Sequence, residues 1–172
     1  MRTTRVWTLL CSLFLVAAVF AWAQGRKPGL WEITTTMTWQ QAPFPPGMAP
    51  PASADSPFGP GSRTTQICLT QAMVEKYGAP LPQTRHDCQI FNVQKSNHGM
   101  NAEMLCSGRI NGKGTVASSW DDSEHAKGKV HFSGTSVGRT GTVPVEWTTD
   151  FSSVYKGADC GTVQPAPMPP GK

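Results

Sequence analysis

Apolar and polar residues alternate clearly near the start of the chain, in the stretch GLWEITTTMTW. Every second residue from Trp31 to Trp39 forms one face, and the residues between them are Glu32 and three threonines. A period of two residues, in a segment rich in Thr, Ile and Trp, is typical of a half-buried β-strand. The sequence therefore predicts a strand over residues 30–40.

The same alternation recurs downstream between short polar turns. Further strands are predicted over residues 63–69, 89–96, 100–107, 115–120, 129–137 and 143–155. NHG (97–99), NGKG (111–114) and GRTG (138–141) indicate turns, and DDSEHAKG (121–128) indicates a polar loop. Consecutive strands without helical crossovers predict an all-β antiparallel meander. Periodicity does not decide between a strongly curved open sheet and a small up-and-down barrel.

One short helix is predicted over Gln71–Tyr77. Thr70 is a suitable N-cap, Gly78 can adopt the left-handed conformation after the last turn, and Leu69 and Val74 occupy the positions of a hydrophobic staple. Two turns are too short to be stable alone. The helix must therefore pack against the sheet.

The first 23 residues have the three parts of an export signal. Arg2 and Arg5 precede an apolar run, which ends in the small-residue site Ala21-Trp22-Ala23. We expect cleavage before Gln24, a periplasmic location, and one β domain over residues 24–161. The alternative is a retained membrane anchor, because the apolar run over residues 6–23 could span a bilayer.

Removal of the signal leaves an even number of cysteines: Cys68, Cys88, Cys106 and Cys160. In an exported chain this number predicts two disulfides, with three possible connectivities. A zinc site is disfavoured because no two of the four have a close C-x(2–4)-C spacing. The expected pairing is Cys68 with Cys88, which bracket the helix, and Cys106 with Cys160.

Two segments are rich in proline. Residues 41–61 contain seven prolines, which prevent regular helix or strand pairing. We interpret this segment as a long loop, either a disordered insertion or a lid or partner-binding arm. The tail over residues 162–172 is predicted to be disordered.

Charge and motifs exclude several function classes. The formal net charge is +4, and the signal carries two arginines and no acidic residue, so the processed chain has only a small positive charge without a clustered basic face. This pattern predicts no nucleic-acid binding. Phosphate-binding, hydrolase-elbow and metalloprotease motifs are absent, so no catalytic residue or cofactor is predicted and a non-enzymatic protein is favoured.

The densest group of candidate metal ligands lies in the polar loop. It consists of Asp121, Asp122, Glu124 and His125, with His131 on the following strand. Carboxylates suit hard cations and histidines suit zinc. The loop lacks the spacing of a calcium site, and charged loops of this kind are usually solvated, so we predict no metal site.

Tryptophan and methionine side chains recur on the apolar faces of three strands. This candidate ligand face consists of Trp31, Met37, Trp39, Met104, Trp147 and Phe151. Aromatic residues commonly form sheet cores, and this ordinary role is the favoured interpretation. The alternative is that they line a site for a lipid or another apolar ligand.

Several short motifs together resemble the domain-of-unknown-function family 3617. They are KPGLWEITTTM (27–37), CLTQ (68–71), DC (87–88), Cys106 and GADCG (157–161). One departure is Gln71, where the family often has proline. The resemblance implies an exported, disulfide-linked β domain of Gram-negative bacteria, and it implies no activity or site residue.

Two functions remain open from the sequence. The first is non-enzymatic binding of an apolar ligand or lipid on the concave face of the sheet. The second is an envelope structural or protein-interaction module that uses a sheet edge or the Pro-rich arm.

Overall fold

The computed structural model describes residues 26–44, 61–80, 88–138, 141–166 and 168. The predicted signal, most of the Pro-rich loop and part of the tail lie outside these residues. The described residues form, in chain order, β1 (Gly29–Gln41), β2 (Gly61–Leu69), α1 (Gln71–Tyr77), β3 (Cys88–Lys95), β4 (Gly99–Cys106), β5 (Ile110–Ser119), β6 (His125–Gly138) and β7 (Gly141–Gly157).

All seven strands belong to one antiparallel sheet. The strand order is β2-β1-β7-β6-β5-β4-β3, so the chain forms a meander from β3 to β7 and then pairs β7 with β1. β2 and β3 are the two edges, and they do not pair with each other. The predicted all-β meander is therefore confirmed, and of the two architectures left open the sheet is the unclosed one.

The β3–β4 hairpin and the helix agree with the prediction. β3 ends at Lys95 and β4 begins at Gly99, on either side of the predicted turn. Thr70 Oγ accepts a hydrogen bond from the N–H of Met73 at 3.3 Å. Gly78 has a φ of 75° and donates its N–H to the carbonyl oxygen of Val74. The capping residues thus begin and end α1 as the sequence indicated.

Two predicted boundaries are wrong. NGKG was predicted as a turn, but it lies inside β5, where Gly112 pairs with Gly134 of β6. The predicted loop over residues 121–128 is also shorter, because β6 already begins at His125. Glycine and charge are turn signals on average, but here the glycines lie within strands beneath aromatic rings.

The expected disulfide pairing is also wrong. The bonds are Cys68–Cys160 and Cys88–Cys106. Cys88 and Cys106 are directly opposite each other in the β3–β4 ladder, with their Cα atoms 4.0 Å apart. The hairpin therefore decides the pairing, and the short sequence interval between Cys68 and Cys88 does not.

The hydrophobic core fills the space between α1 and the face of the sheet that carries Trp31 and Met100, which we call the concave face. Met73, Val74 and Tyr77 of the helix are buried in the same cluster as Trp31 and Met100 of the sheet. The C-terminal segment adds a further contact, because Ala166 donates its N–H to the carbonyl oxygen of Cys68. The helix therefore packs on the sheet, as its length required.

Candidate functional site

All six residues of the predicted ligand face lie on the concave face, but they differ in exposure. The two on the outer part of β1, Met37 and Trp39, are only partly buried. The other four are core residues, each at most 8% exposed: Trp31, Met104, Trp147 and Phe151.

Aromatic rings fill the centre of the concave face. Trp147 stacks on Phe132 with ring centroids 4.1 Å apart, and Trp39 contacts Trp147 edge-on at 5.5 Å. A β-carbon at Gly112 would lie 2.8 Å from a carbon of Phe132. Because the rings lie directly on the backbone of neighbouring strands, the centre of the sheet is packed core.

Burial decreases along β1 towards its C-terminal end. Trp31 is 0% and Ile33 is 3% exposed, whereas Met37 and Trp39 are partly exposed. The paired strand β2 shows the same change, since Ile67 is buried and Thr65 is exposed. The core therefore covers only the half of the β1–β2 hairpin that contains Trp31, Ile33 and Ile67, and the other half is the outer one.

The outer half forms a surface that we call the distal patch. Its members share the concave face by strand register, because Thr35 pairs with both Arg63 of β2 and Phe151 of β7, and Met37 pairs with Thr149. The distal patch consists of Thr35, Met37, Trp39 and Arg63, and the neighbouring Thr149 of β7 is buried. Trp39 also contacts the ring of Phe44, with the centroids 5.9 Å apart.

Acidic side chains of the described strands are on the opposite, convex face. Three of them have cationic or histidine partners there: Glu32 with Lys156 at 3.0 Å, Asp150 with Lys129 at 3.2 Å, and Glu146 with His131 at 2.9 Å. By register, the charged residues of the described strands on the concave face are Arg63 and Lys95. Lys95 lies at the other edge of the sheet and donates to the carbonyl oxygen of Glu75. The distal patch therefore combines apolar side chains with the guanidinium of Arg63, which also has a contact within the chain.

Arg26 is a buried residue that the sequence did not single out. Its guanidinium carbon lies 5.0 Å from the ring centroid of Trp31 and 5.2 Å from that of Trp120. It also donates to the carbonyl oxygens of Asp122 and His125. Burial lowers its pKa to about 10, although nearby Asp122 acts in the opposite direction. Arg26 therefore ties the start of the domain to the β5–β6 loop.

Lys27 extends this attachment at the surface. Its ammonium forms a salt bridge with Glu124 at 2.6 Å, and this hydrogen bond raises the pKa of Lys27. In the sequence, Arg26 and Lys27 appear only as charges beside the predicted cleavage site. No local pattern links them to Trp120 or Glu124, which are more than ninety residues away in the chain.

The candidate metal ligands of the polar loop have a structural role. Asp122 accepts hydrogen bonds from the N–H groups of Glu124 and His125, both at 2.7 Å, and lies 2.9 Å from Nδ1 of His125. These bonds, first that from Glu124, lower the pKa of Asp122 to about 2. His131 instead pairs with Glu146. Among the residues that the structure describes, no three His, Cys, Asp or Glu side chains form a group that could hold a metal ion.

The fold and the disulfides define a class of protein: an open antiparallel β domain with one packed helix and a disulfide at each of its two edge strands. Residues 26–160 match the model of a family described as a protein of unknown function, DUF3617, and the chain belongs to this family. This confirms the predicted resemblance. Neither the curated proteins nor the solved structures contain a match. None of the helices in the described ranges is long and apolar enough to cross a membrane.

Proposed function

We propose that this domain binds an apolar ligand at the distal patch. The observation that carries the proposal is the change in burial along the concave face of β1, from fully covered at Trp31 to partly exposed at Met37 and Trp39. A ligand that removes partly exposed apolar side chains from water lowers the free energy of the complex, so such side chains beside a packed core favour binding.

The packed centre favours a surface groove over an internal cavity. Trp147 and Phe132 stack against each other and are 8% and 0% exposed, so they are core beneath the patch. Met37 and Trp39 would form the surface that contacts a bound chain, because Met37 lies two residues before Trp39 on the same face of β1. Methionine suits this role because its flexible side chain adapts to irregular apolar surfaces.

Titration with two C12 probes, laurate and dodecanol, tests the proposal. Both are added below their aggregation limits, and binding is followed by calorimetry and native mass spectrometry. We expect saturable binding of at least one probe, and about tenfold weaker binding for Met37→Gln because the variant loses apolar contact area. Leu105→Gln is the matched control, since Leu105 is an exposed apolar residue on the convex face.

Two results would overturn this function. One is the absence of saturable binding of either probe by the folded, oxidised protein. The other is an equal effect of Met37→Gln and Leu105→Gln, which would remove the distal patch from the binding site.

We also propose that the protein is exported and acts in the periplasm after cleavage before Gln24. One observation supports this location: the two disulfides, a kind of bond that persists in oxidising compartments. N-terminal sequencing of the protein from a periplasmic fraction tests it. Recovery of an uncleaved chain in the membrane fraction would instead favour the retained anchor.

The second candidate function is protein interaction through the edge strand β2. Residues 61–66 of this strand are largely exposed, whereas the C-terminal segment covers its end at Cys68. Exposed edge strands can pair with a strand of another protein. The double variant Thr64→Lys, Gln66→Lys should then abolish crosslinking to an envelope protein. The control variant Asn101→Lys on β4 should leave crosslinking unchanged. Unchanged crosslinking in the double variant would exclude this edge.

A further inference from the structure

We infer that residues 160–166, which we call the C-terminal cover, prevent this chain from pairing with a second copy of itself through the edge strand β2. The inference goes beyond both proposed functions. It assigns a role to the segment that lies on β2, and it names the partner that this segment excludes.

The C-terminal cover is fixed to the last part of β2 at Cys68. Cys160 forms a disulfide with this residue, and Pro165 forms a parallel bridge with it. Ala166 donates its N–H to the carbonyl oxygen of Cys68 at 3.1 Å and is buried in the core cluster. The cover therefore lies on the outer side of β2 at the position where a further strand would pair.

The covered position belongs to the β2 residues whose backbone groups point away from β1. The N–H and C=O of one strand residue point to the same side, and this side alternates along the strand. Because the carbonyl group of Cys68 points to the cover, those of Ser62, Thr64 and Gln66 point outwards as well. The side chains of these three residues are exposed, whereas burial begins at Ile67. The exposed part of β2 therefore ends just before the covered position.

β2 has few of the features that usually prevent strand pairing at a sheet edge. Its register with β1 is regular from Gly61 to Leu69, and residues 64–69 contain no charged residue, proline or glycine. Such segments pair readily with copies of themselves. The opposite edge differs, because β3 has a register shift that includes Asn92 at a φ of 50°. A bulge of this kind disrupts pairing, so β2 is the edge that requires a separate cover.

Two copies of β2 are compatible in an antiparallel register. With full overlap of the strand, Ser62 of one copy faces Cys68 of the other, and Thr64 faces Gln66. Arg63 then faces an apolar residue, so the two arginines are not opposite each other. The pairs at Cys68 provide about half of the hydrogen bonds of this ladder. The C-terminal cover and a second copy of β2 therefore exclude each other.

Truncation tests the inference with a matched pair of variants. Deletion of residues 161–172 removes the cover beyond Cys160, whereas deletion of residues 167–172 leaves it in place. Sedimentation velocity of the oxidised, processed proteins over a range of concentrations measures self-association. The 161–172 deletion should have a dimer dissociation constant at least about tenfold lower than that of wild type. The 167–172 deletion should behave like wild type.

Lysine substitutions in the 161–172 deletion assign the contact to β2. Gln66→Lys should restore the wild-type dissociation constant, because two copies would bring their lysines close together across the ladder. Gln89→Lys is the matched control, since Gln89 is an exposed glutamine of the other edge strand, β3. It should leave the dissociation constant of the deletion variant unchanged. Hydrogen exchange should show protection that increases with concentration at Thr64 and Gln66.

A point variant keeps the question decidable if the deletion unfolds the domain, which thermal unfolding reports. Ala166→Pro removes the N–H that bonds to Cys68 and retains the rest of the cover. It should strengthen self-association in the same direction as the deletion.

Two results would overturn the inference. One is that the variant that remains folded, the deletion or Ala166→Pro, associates no more strongly than wild type. The other is that Gln66→Lys and Gln89→Lys have equal effects, which would place the contact between copies away from β2.

Discussion

Arg26 illustrates how a single buried charge can hold the start of a domain in place. Its guanidinium contacts the rings of Trp31 and Trp120 and donates to the carbonyl oxygens of Asp122, in the β5–β6 loop, and His125, at the start of β6. A planar cation suits both the ring faces and the separated acceptors, whereas an ammonium group cannot reach all of them together. The arrangement offsets only part of the desolvation, which still lowers the pKa of Arg26.

Replacement of Arg26 should destabilise the domain. We expect Arg26→Gln to lower the free energy of unfolding by about 2 kcal/mol, because two cation–π contacts and two charged hydrogen bonds are lost. Arg26→Lys should cost less, since the charge remains. Urea unfolding measures both, with the exposed residue Arg109→Gln as control, expected within about 0.5 kcal/mol of wild type. Equal stabilities of Arg26→Gln and Arg109→Gln would contradict a clamping role.

Asp122 should make the stability of the domain depend on pH in the acid range. Its pKa is lowered to about 2 in the folded state, whereas the pKa of an aspartate in an unfolded chain is about 3.9. A carboxyl with a lowered folded pKa stabilises the fold fully above the unfolded value, and this contribution is lost as the pH falls from about 4 to about 2. The stabilisation therefore acts at neutral pH and disappears in acid.

Comparison with Asp122→Asn isolates this effect. The difference in unfolding free energy between wild type and variant should be constant from pH 5 to 7 and should shrink as the pH falls below 4. Carboxyl titration by NMR gives the pKa of Asp122 directly. A value near that of an ordinary aspartate, or a difference that persists unchanged to pH 2, would show that the hydrogen bonds do not favour the charged form.

At the scale of the strands, the glycines of β5 and β6 allow aromatic rings to lie against the backbone. A β-carbon at Gly128 would overlap a ring carbon of Phe151 and the carbonyl oxygen of Ala117. At Gly157, the last residue of β7, a β-carbon would have no atom of another segment within 4 Å. The two glycines therefore make a matched pair, one beneath a core ring and one in open space.

Alanine substitution should separate these two glycines. Gly128→Ala should destabilise by about 2 kcal/mol, because the core and its backbone must shift to admit a methyl group. Gly157→Ala should be neutral or slightly stabilising, since alanine restricts the unfolded chain. Thermal unfolding gives the order, and comparable melting temperatures for the two variants would refute close packing of Phe151 on β6.

The predictable elements are those whose determinants are local. The alternation of β1 and the caps of α1 lie within about ten residues of sequence, and the structure reproduces both. The start of β5 was mistaken for a turn because its glycines are explained by the ring of Phe132 on a neighbouring strand. Such contacts between distant segments are not visible in periodicity.

The candidate site was predictable to the same extent. Alternation placed Met37 and Trp39 on an apolar face, and register confirms that they share it with Trp147. It could not show which of these residues stay partly exposed, because exposure depends on where α1 and the core end. Alternation also could not show that Arg63 lies beside these residues, because its position opposite Thr35 results from strand pairing across the 41–61 segment.

At the scale of the whole molecule, each disulfide holds one edge of the open sheet. Cys88–Cys106 joins the edge strand β3 to β4, whereas Cys68–Cys160 joins the end of β2 to the segment after β7. Edge strands of an open sheet have neighbours on one side only, and they are expected to open first. The two bonds therefore protect different regions and span very different lengths of chain.

Removing the bonds one at a time should give unequal and spatially separate effects. The residues joined are 18 apart for Cys88–Cys106 and 92 apart for Cys68–Cys160, for which the chain-entropy relation gives about 3 and about 4.5 kcal/mol. Double alanine variants should follow this order in urea unfolding.

In hydrogen exchange, loss of Cys88–Cys106 should release mainly β3 and β4. Loss of Cys68–Cys160 should instead release β2, α1 and the C-terminal segment up to Ala166, because their contacts converge at Cys68. A uniform increase in exchange across all strands in both variants would mean that the sheet opens as one unit, and the edges would then have no separate stability for the disulfides to protect.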